Sequence, residues 1–125
     1  MKGQALITLI FFSVIAISVT TGAVIMIAVN SLAGSKAQDG IIAYEIAQSG
    51  MDNGQLRLLR DPSYTGETLS VGTGSAVIQV SGSGTALDPY IILSKGQSGN
   101  FIRQIQVKAT YLNNTLSVIS QKEIF

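Results

Sequence analysis

ALITLIFFSVIAISVTTGAVIMIAV, residues 5–29, decides how the rest of the chain is read. These 25 residues are mostly Ile, Val, Leu, Phe, Ala and Met, and no ionisable side chain occurs from Gln4 to Ser35. The polar members are Thr8, Ser13, Ser18, Thr20 and Thr21. Their hydroxyls can bond back to the helix's own carbonyls. At 1.5 Å per residue the segment spans roughly 37 Å, enough for a hydrocarbon core of about 30 Å. A backbone in lipid has no water to bond to, so the segment must be helical. Lys2 and the amino terminus place positive charge before it, while Lys36 beyond it is balanced by Asp39. The expected orientation is therefore amino terminus in the cytoplasm and carboxy-terminal region outside. The apolar region of a cleaved secretory signal is shorter, about 7–15 residues. A small-residue site at Ser31-Leu32-Ala33 nevertheless keeps one alternative open, a secreted β-domain starting at Gly34.

Composition narrows the function classes. The 125 residues include 8 Lys+Arg and 7 Asp+Glu, a charged share of 12%. That is about half the usual share for a soluble domain, roughly 25%. There is no His and no Cys. Transition-metal sites, thiol chemistry and His-based proton transfer lose their usual residues, and no metal or cofactor is expected. From Asp61 onward four Lys/Arg face four Asp/Glu, so no nucleic-acid partner is expected.

Helical patterning continues past residue 33. Ala43, Ala47, Gly50, Gly54 and Leu58 recur at three- and four-residue intervals, with Ile42, Ile46 and Met51 beside them. Lys36–Asp39 and Arg57–Asp61 have ion-pair spacing. Pro62 ends the pattern. One helix from about Ala5 to about Leu59 is expected, roughly 80 Å long, with Gly34 or Gly40 as the place where it could bend. The small residues on the stripe suit close packing against another element.

From Pro62 the composition turns to Gly, Ser, Thr and β-branched residues. Pro62 to Gly74 reads as an irregular connection. Ser75–Ser81 alternates, with Ala76, Ile78 and Val80 on one face. Gly82-Ser83-Gly84 is a turn. Tyr90–Ser94 is a short strand, and Gly96 to Asn100 another turn. Phe101–Leu112 and Thr115–Phe125 flank Asn113-Asn114, a two-residue hairpin turn. That turn pairs Tyr111/Leu116, Ala109/Val118, Val107/Ser120, Ile105/Lys122 and Arg103/Ile124, with Lys108/Ile119, Gln106/Gln121 and Gln104/Glu123 on the other face. The expected fold class is α+β, a long N-terminal helix packed on a small antiparallel sheet.

The start of the chain resembles the type IV pilin and pseudopilin family. Met1-Lys2-Gly3, then Gln4-Ala5-Leu6-Ile7-Thr8-Leu9-Ile10-Phe11-Phe12, resembles a basic leader ending in Gly before an apolar helix. Ile41 to Leu59, with its Ala-x-x-Gln-Ser-Gly core, is similar to the aqueous half of the minor-pilin helix. The resemblance implies cleavage between Gly3 and Gln4 and methylation at Gln4. It implies a leader at 1–3, a transmembrane half at 4–33, an aqueous half at 34–60 and a globular sheet region at 61–125. Leu6, Ile7, Thr8, Phe11, Phe12 and Gly22 would then belong to the filament and membrane core. The implied partners are other pilin subunits, a prepilin peptidase, an assembly ATPase, a platform membrane protein and membrane lipid. Gln4 stands where the family usually has Phe, and Thr8 where most members have Glu. That Glu pairs with a neighbouring subunit's amino terminus, and Thr8 carries no charge. A minor or initiating subunit, which some tip-type members lacking the Glu exemplify, is favoured over a bulk one.

Other motifs carry less. Gly72-Thr73-Gly74 and Gly82-Ser83-Gly84 complete no phosphate-binding pattern and read as turns. Asp39, Glu45, Asp52, Asp88 and Glu123 have no metal-loop spacing, and no catalytic residue is assigned. Asn113-Asn114-Thr115 fits a glycosylation sequon, but the turn accounts for its asparagines. The four tyrosines are dispersed and make no stacking platform. A single-pass membrane-anchored β-module outside any filament is the alternative reading.

Overall fold

The computed structural model describes residues 2–124. Met1 of the expected leader and Phe125 of the expected last strand lie outside the described residues. One helix, α1, runs Lys2–Arg60. Five strands follow: β1 (Gly66–Val71), β2 (Gly74–Ser81), β3 (Tyr90–Ser98), β4 (Phe101–Leu112) and β5 (Thr115–Ile124). The chain divides into two compact units, Met1–Ala37 and Gln38–Phe125.

In the first unit, every described residue is exposed. By length and composition, α1 is long and apolar enough to cross a membrane. The second unit is an α+β layer pair, with the Gln38–Arg60 part of α1 lying on an antiparallel sheet of order β1-β2-β3-β4-β5. Its helical stripe is the expected one. Ala43, Ala47, Gly50, Gly54 and Leu58 are all buried, as are Ile46 and Met51, while Ile42 is half-buried.

The small residues let two backbones meet. A Cβ on Gly96 of β3 would overlap the carbonyl oxygen of Ala43 and the amide nitrogen of Ala47. A Cβ on Gly50 would come within 2.6 Å of Ser94 Oγ and 2.7 Å of Ala76 Cβ. Ser94 is fully buried, and its hydroxyl donates to the Ala47 carbonyl at 2.7 Å. Larger side chains flank this seam. Met51 and Leu58 join Ile78, Ile92, Ile105 and Val107 in the core.

The connections match their chemistry. After α1, the Asp61 carboxylate accepts from the Ser63 amide at 3.0 Å and the Ser63 hydroxyl at 2.6 Å, closing a tight turn around Pro62. The Tyr90 hydroxyl donates to the Pro62 carbonyl at 3.0 Å. In the β2–β3 loop the amides of Ser83, Gly84 and Thr85 converge on the Asp88 carbonyl. Asn113 and Asn114 form the final hairpin turn with φ of 52° and 59°, the positive values that a type I′ turn requires.

Four sequence expectations are corrected. The irregular connection at 62–74 holds β1, joined to β2 by the two-residue turn Gly72-Thr73. Its signal is faint because β1 is an edge strand with Thr68 and Ser70 on its outward side and only Leu69 and Val71 as apolar residues. Gly96 is not a turn residue, since β3 continues to Ser98. That glycine answers to the helix above it. The hairpin register holds only from Leu112/Thr115 to Ala109/Val118, and then shifts by one residue. Val107 faces Gln121, Ile105 faces Glu123, and Gln104 faces Ile124. The predicted Val107/Ser120, Ile105/Lys122, Arg103/Ile124, Lys108/Ile119, Gln106/Gln121 and Gln104/Glu123 pairs are not formed. Ile119 is the extra residue of a β-bulge, which inverts the alternation beyond it. Finally, the ion pairs among the described residues are Arg57–Glu67 and Arg103–Glu123, not Lys36–Asp39 or Arg57–Asp61.

The seam sets a stability prediction. Gly96→Ala inserts a methyl where backbone already stands, and overpacking of this kind costs about 1–3 kcal/mol. Gly34→Ala, with nothing within 4 Å of the added carbon, meets no such obstacle. Urea unfolding of the full chain in detergent, followed by the sheet signal, is expected to show the loss for Gly96→Ala and none for Gly34→Ala.

Candidate functional site

The residues singled out at the start of the chain all lie on α1. Gly3 and Gln4 are in its first turns. Leu6, Ile7, Phe11 and Phe12 each expose more than half of their surface. The Thr8 hydroxyl donates to the Gln4 carbonyl at 2.9 Å. Ser13, Ser18, Thr20 and Thr21 repeat that bond, four residues back each time, at 2.7–2.8 Å. The segment's hydroxyls are thus satisfied within the helix, and its outer surface is almost wholly apolar.

Helical periodicity sorts these residues. Gln4, Thr8 and Phe12 follow one i,i+4 row, and with Ala5 and Leu9 they line a shallow groove. Gly22 lies eighteen residues, five turns, beyond Gln4 and so returns to the same azimuth. A Cβ on Gly22 would meet nothing within 4 Å. Leu6 points to the opposite side by the same periodicity, so the structure does not gather the expected residues on one face.

In the second unit, two polar clusters escaped the sequence reading. Glu67 on β1 accepts from Arg57 Nε at 2.6 Å, the Tyr64 hydroxyl at 3.0 Å and Asn53 Nδ2 at 3.2 Å. Burial, and then the hydroxyl's bond to the Glu67 carboxylate, push the Tyr64 phenol up to about 12, with the Arg57 charge opposing. The other cluster follows from the bulge in β5. Beyond Ile119 the alternation turns Gln121 and Glu123 to the helix side. Gln121 donates to Gln48 of α1 at 3.0 Å, and Glu123 pairs with Arg103. The Arg103 guanidinium also sits 5.6 Å from the centre of the Tyr44 ring, a cation–π distance. The bond from Arg103 holds the Glu123 carboxyl below its ordinary range. No strong sequence signal marks either cluster, because each joins α1 to a distant strand.

Among the described residues, no group of three or more Asp or Glu side chains is placed to hold a metal ion. Every buried side-chain nitrogen or oxygen among them has a hydrogen-bond partner. The polar clusters tie elements together. Comparison with protein-family models, curated proteins and solved structures finds no match to the chain.

Tyr64 offers a direct check. A phenol whose folded pKa is raised contributes stability that is fully present below its unfolded value near 10 and is lost as pH rises through about 12. Alkaline titration of phenolate absorbance in the full chain is expected to show one component near 12 that disappears in Tyr64→Phe. In Glu67→Gln that component is expected to move down while staying above its ordinary value, because burial is the larger cause.

Proposed function

We propose that the chain is a structural, non-enzymatic subunit of a type IV pilus or pseudopilus, of the minor or initiating kind. The observation that carries this reading is the division of labour along α1. Residues 5–29 expose an apolar surface with internally bonded hydroxyls, while Gly40 to Leu58 bury a small-residue stripe on the antiparallel sheet. An apolar surface of that size needs cover, worth about 25 cal/mol per Å² against water. Lipid supplies it in a membrane-stored subunit, and neighbouring helices supply it in a filament. The proposed location is a single-pass membrane position with the amino terminus cytoplasmic, followed by a cell-surface pilus or periplasmic pseudopilus.

On this reading a prepilin peptidase cuts between Gly3 and Gln4, and the new amino group is methylated. Leu6, Ile7, Thr8, Phe11, Phe12 and Gly22 pack in the filament core. The other partners are pilin subunits, an assembly ATPase and a platform membrane protein. Thr8 supports the minor or initiating role, because its hydroxyl is spent on the Gln4 carbonyl and supplies no charge to a neighbour.

The test is the mature amino terminus, read by mass spectrometry of membrane and sheared-filament fractions. The expected start is methylated Gln4, and Gly3→Leu is expected to leave the leader attached. An intact Met1 in the unaltered protein would favour the membrane-anchored module instead. A start at Gly34 would make the chain a released β-domain.

A further inference from the structure

The sheet face turned away from α1 has a distinct chemistry. The register puts Lys95 opposite Gln104 and Lys122 opposite Gln106, with Lys108 two residues beyond Gln106 on β4. These are the three lysines of Gln38–Phe125, and all of them project from this face. Described acids lie elsewhere. Asp39, Glu45 and Asp52 are on α1, Asp61 and Asp88 are in turns, and Glu67 and Glu123 are on the helix side of the sheet. The bulge at Ile119 contributes directly, because it sends Glu123 to the helix side and Lys122 outward. In the predicted register Glu123 would have stood on the outward face among the lysines.

This face holds an open depression of about 480 Å³, with the lysines at neighbouring register positions. Its floor includes Gln79, Gln104 and Gln106, with Leu93 and Ile124. Strand spacing puts Lys95 and Lys122 about 12 Å apart, on either side of the Gln104–Gln106 floor. Each glutamine amide presents a donor pair and an acceptor. That combination suits hydroxyl groups, which both donate and accept. A phosphodiester backbone offers acceptors only. Among the described residues, no aromatic side chain and no arginine project from this face, so stacked bases and bidentate phosphate forks lack their usual partners. Lysine supplies isolated point charges, suited to carboxylates set apart along a chain.

We propose that this face binds an acidic polysaccharide, with carboxylates on Lys95, Lys108 and Lys122 and sugar hydroxyls on the glutamine floor. The contact belongs to Gln38–Phe125 and does not require filament assembly, so cleavage at Gly3 and binding on this face can fail separately.

The probe is an oligogalacturonate, offered to the full chain in detergent, with uncharged galactan, duplex DNA and water-soluble glycerophosphate as competitors. Oligogalacturonate is expected to bind, with affinity falling as salt rises. The triple variant K95Q/K108Q/K122Q is expected to weaken it about tenfold, as three exposed ion pairs can supply. Gln104→Leu with Gln106→Leu is expected to weaken it while leaving the salt dependence unchanged. Circular dichroism verifies that each variant keeps its sheet. Absence of binding, binding unaffected by the lysine variant, or equal competition by galactan, DNA or glycerophosphate would overturn the proposal.

Discussion

The second unit depends on one close approach, the backbone of α1 against the backbone of β3 at Gly96. There the Ala43 carbonyl and Ala47 amide occupy the space a side chain would take. Gly50 over Ser94 and Ala76, and Gly54 over Ile78 and Ile92, continue the contact along the same helix face. A helix this near to a sheet leaves no room for large residues at the centre, so they collect at the flanks. Met51 and Leu58 join Ile105 and Val107 in the core, while Ile46 reaches Gly74 of β2. The stretch from Gln38 to Arg60 would be marginal as a free helix in water. It is held because its thinnest face fits the thinnest strip of the sheet.

The buried hydroxyl of Ser94 has its place in the same contact. A polar group inside an apolar layer costs free energy unless it is bonded. Ser94 meets the Ala47 carbonyl at 2.7 Å, an acceptor available there because the helix comes so close. An alanine at 94 would fit the space and lose the bond. A valine would press on Gly50, whose missing side chain already leaves only enough room for Ser94 Oγ.

How much of this was legible in the residues follows from the range of each signal. The helix stripe, the Pro62 stop, the β2 alternation and the Asn113-Asn114 turn are local patterns, and the structure has all four. The β5 register was legible only as far as the turn dictates it. Beyond Val118 the alternation predicted from the turn would have sent Gln121 and Glu123 away from the helix. Instead the bulge at Ile119 brings Gln121 to Gln48 and Glu123 to Arg103. Those partners lie 73 and 20 residues away in sequence, beyond the reach of any periodicity. Gly96 reads as a turn residue for a related reason. A glycine in a polar stretch usually marks a turn, and nothing nearby in sequence reveals a helix packed on it. The Glu67 cluster was equally hidden, since its donors come from α1 and from the connection that follows it.

The apolar half of α1 raises the converse problem, a surface with local order whose described residues are all exposed. Its five hydroxyls are bonded to carbonyls four residues back, so none of them must find an outside partner. That makes the surface equally at home against lipid tails and against other apolar helices. Both environments exclude water, and both penalise an unsatisfied polar group. From Gln4 to Val29 the one side-chain amide is Gln4 itself. Its polarity fits the end of such a segment, where an amide can reach the interface, and not the middle. The position of Gln4 therefore follows from solvation alone, and the same residue stands where the resemblance places the mature amino terminus.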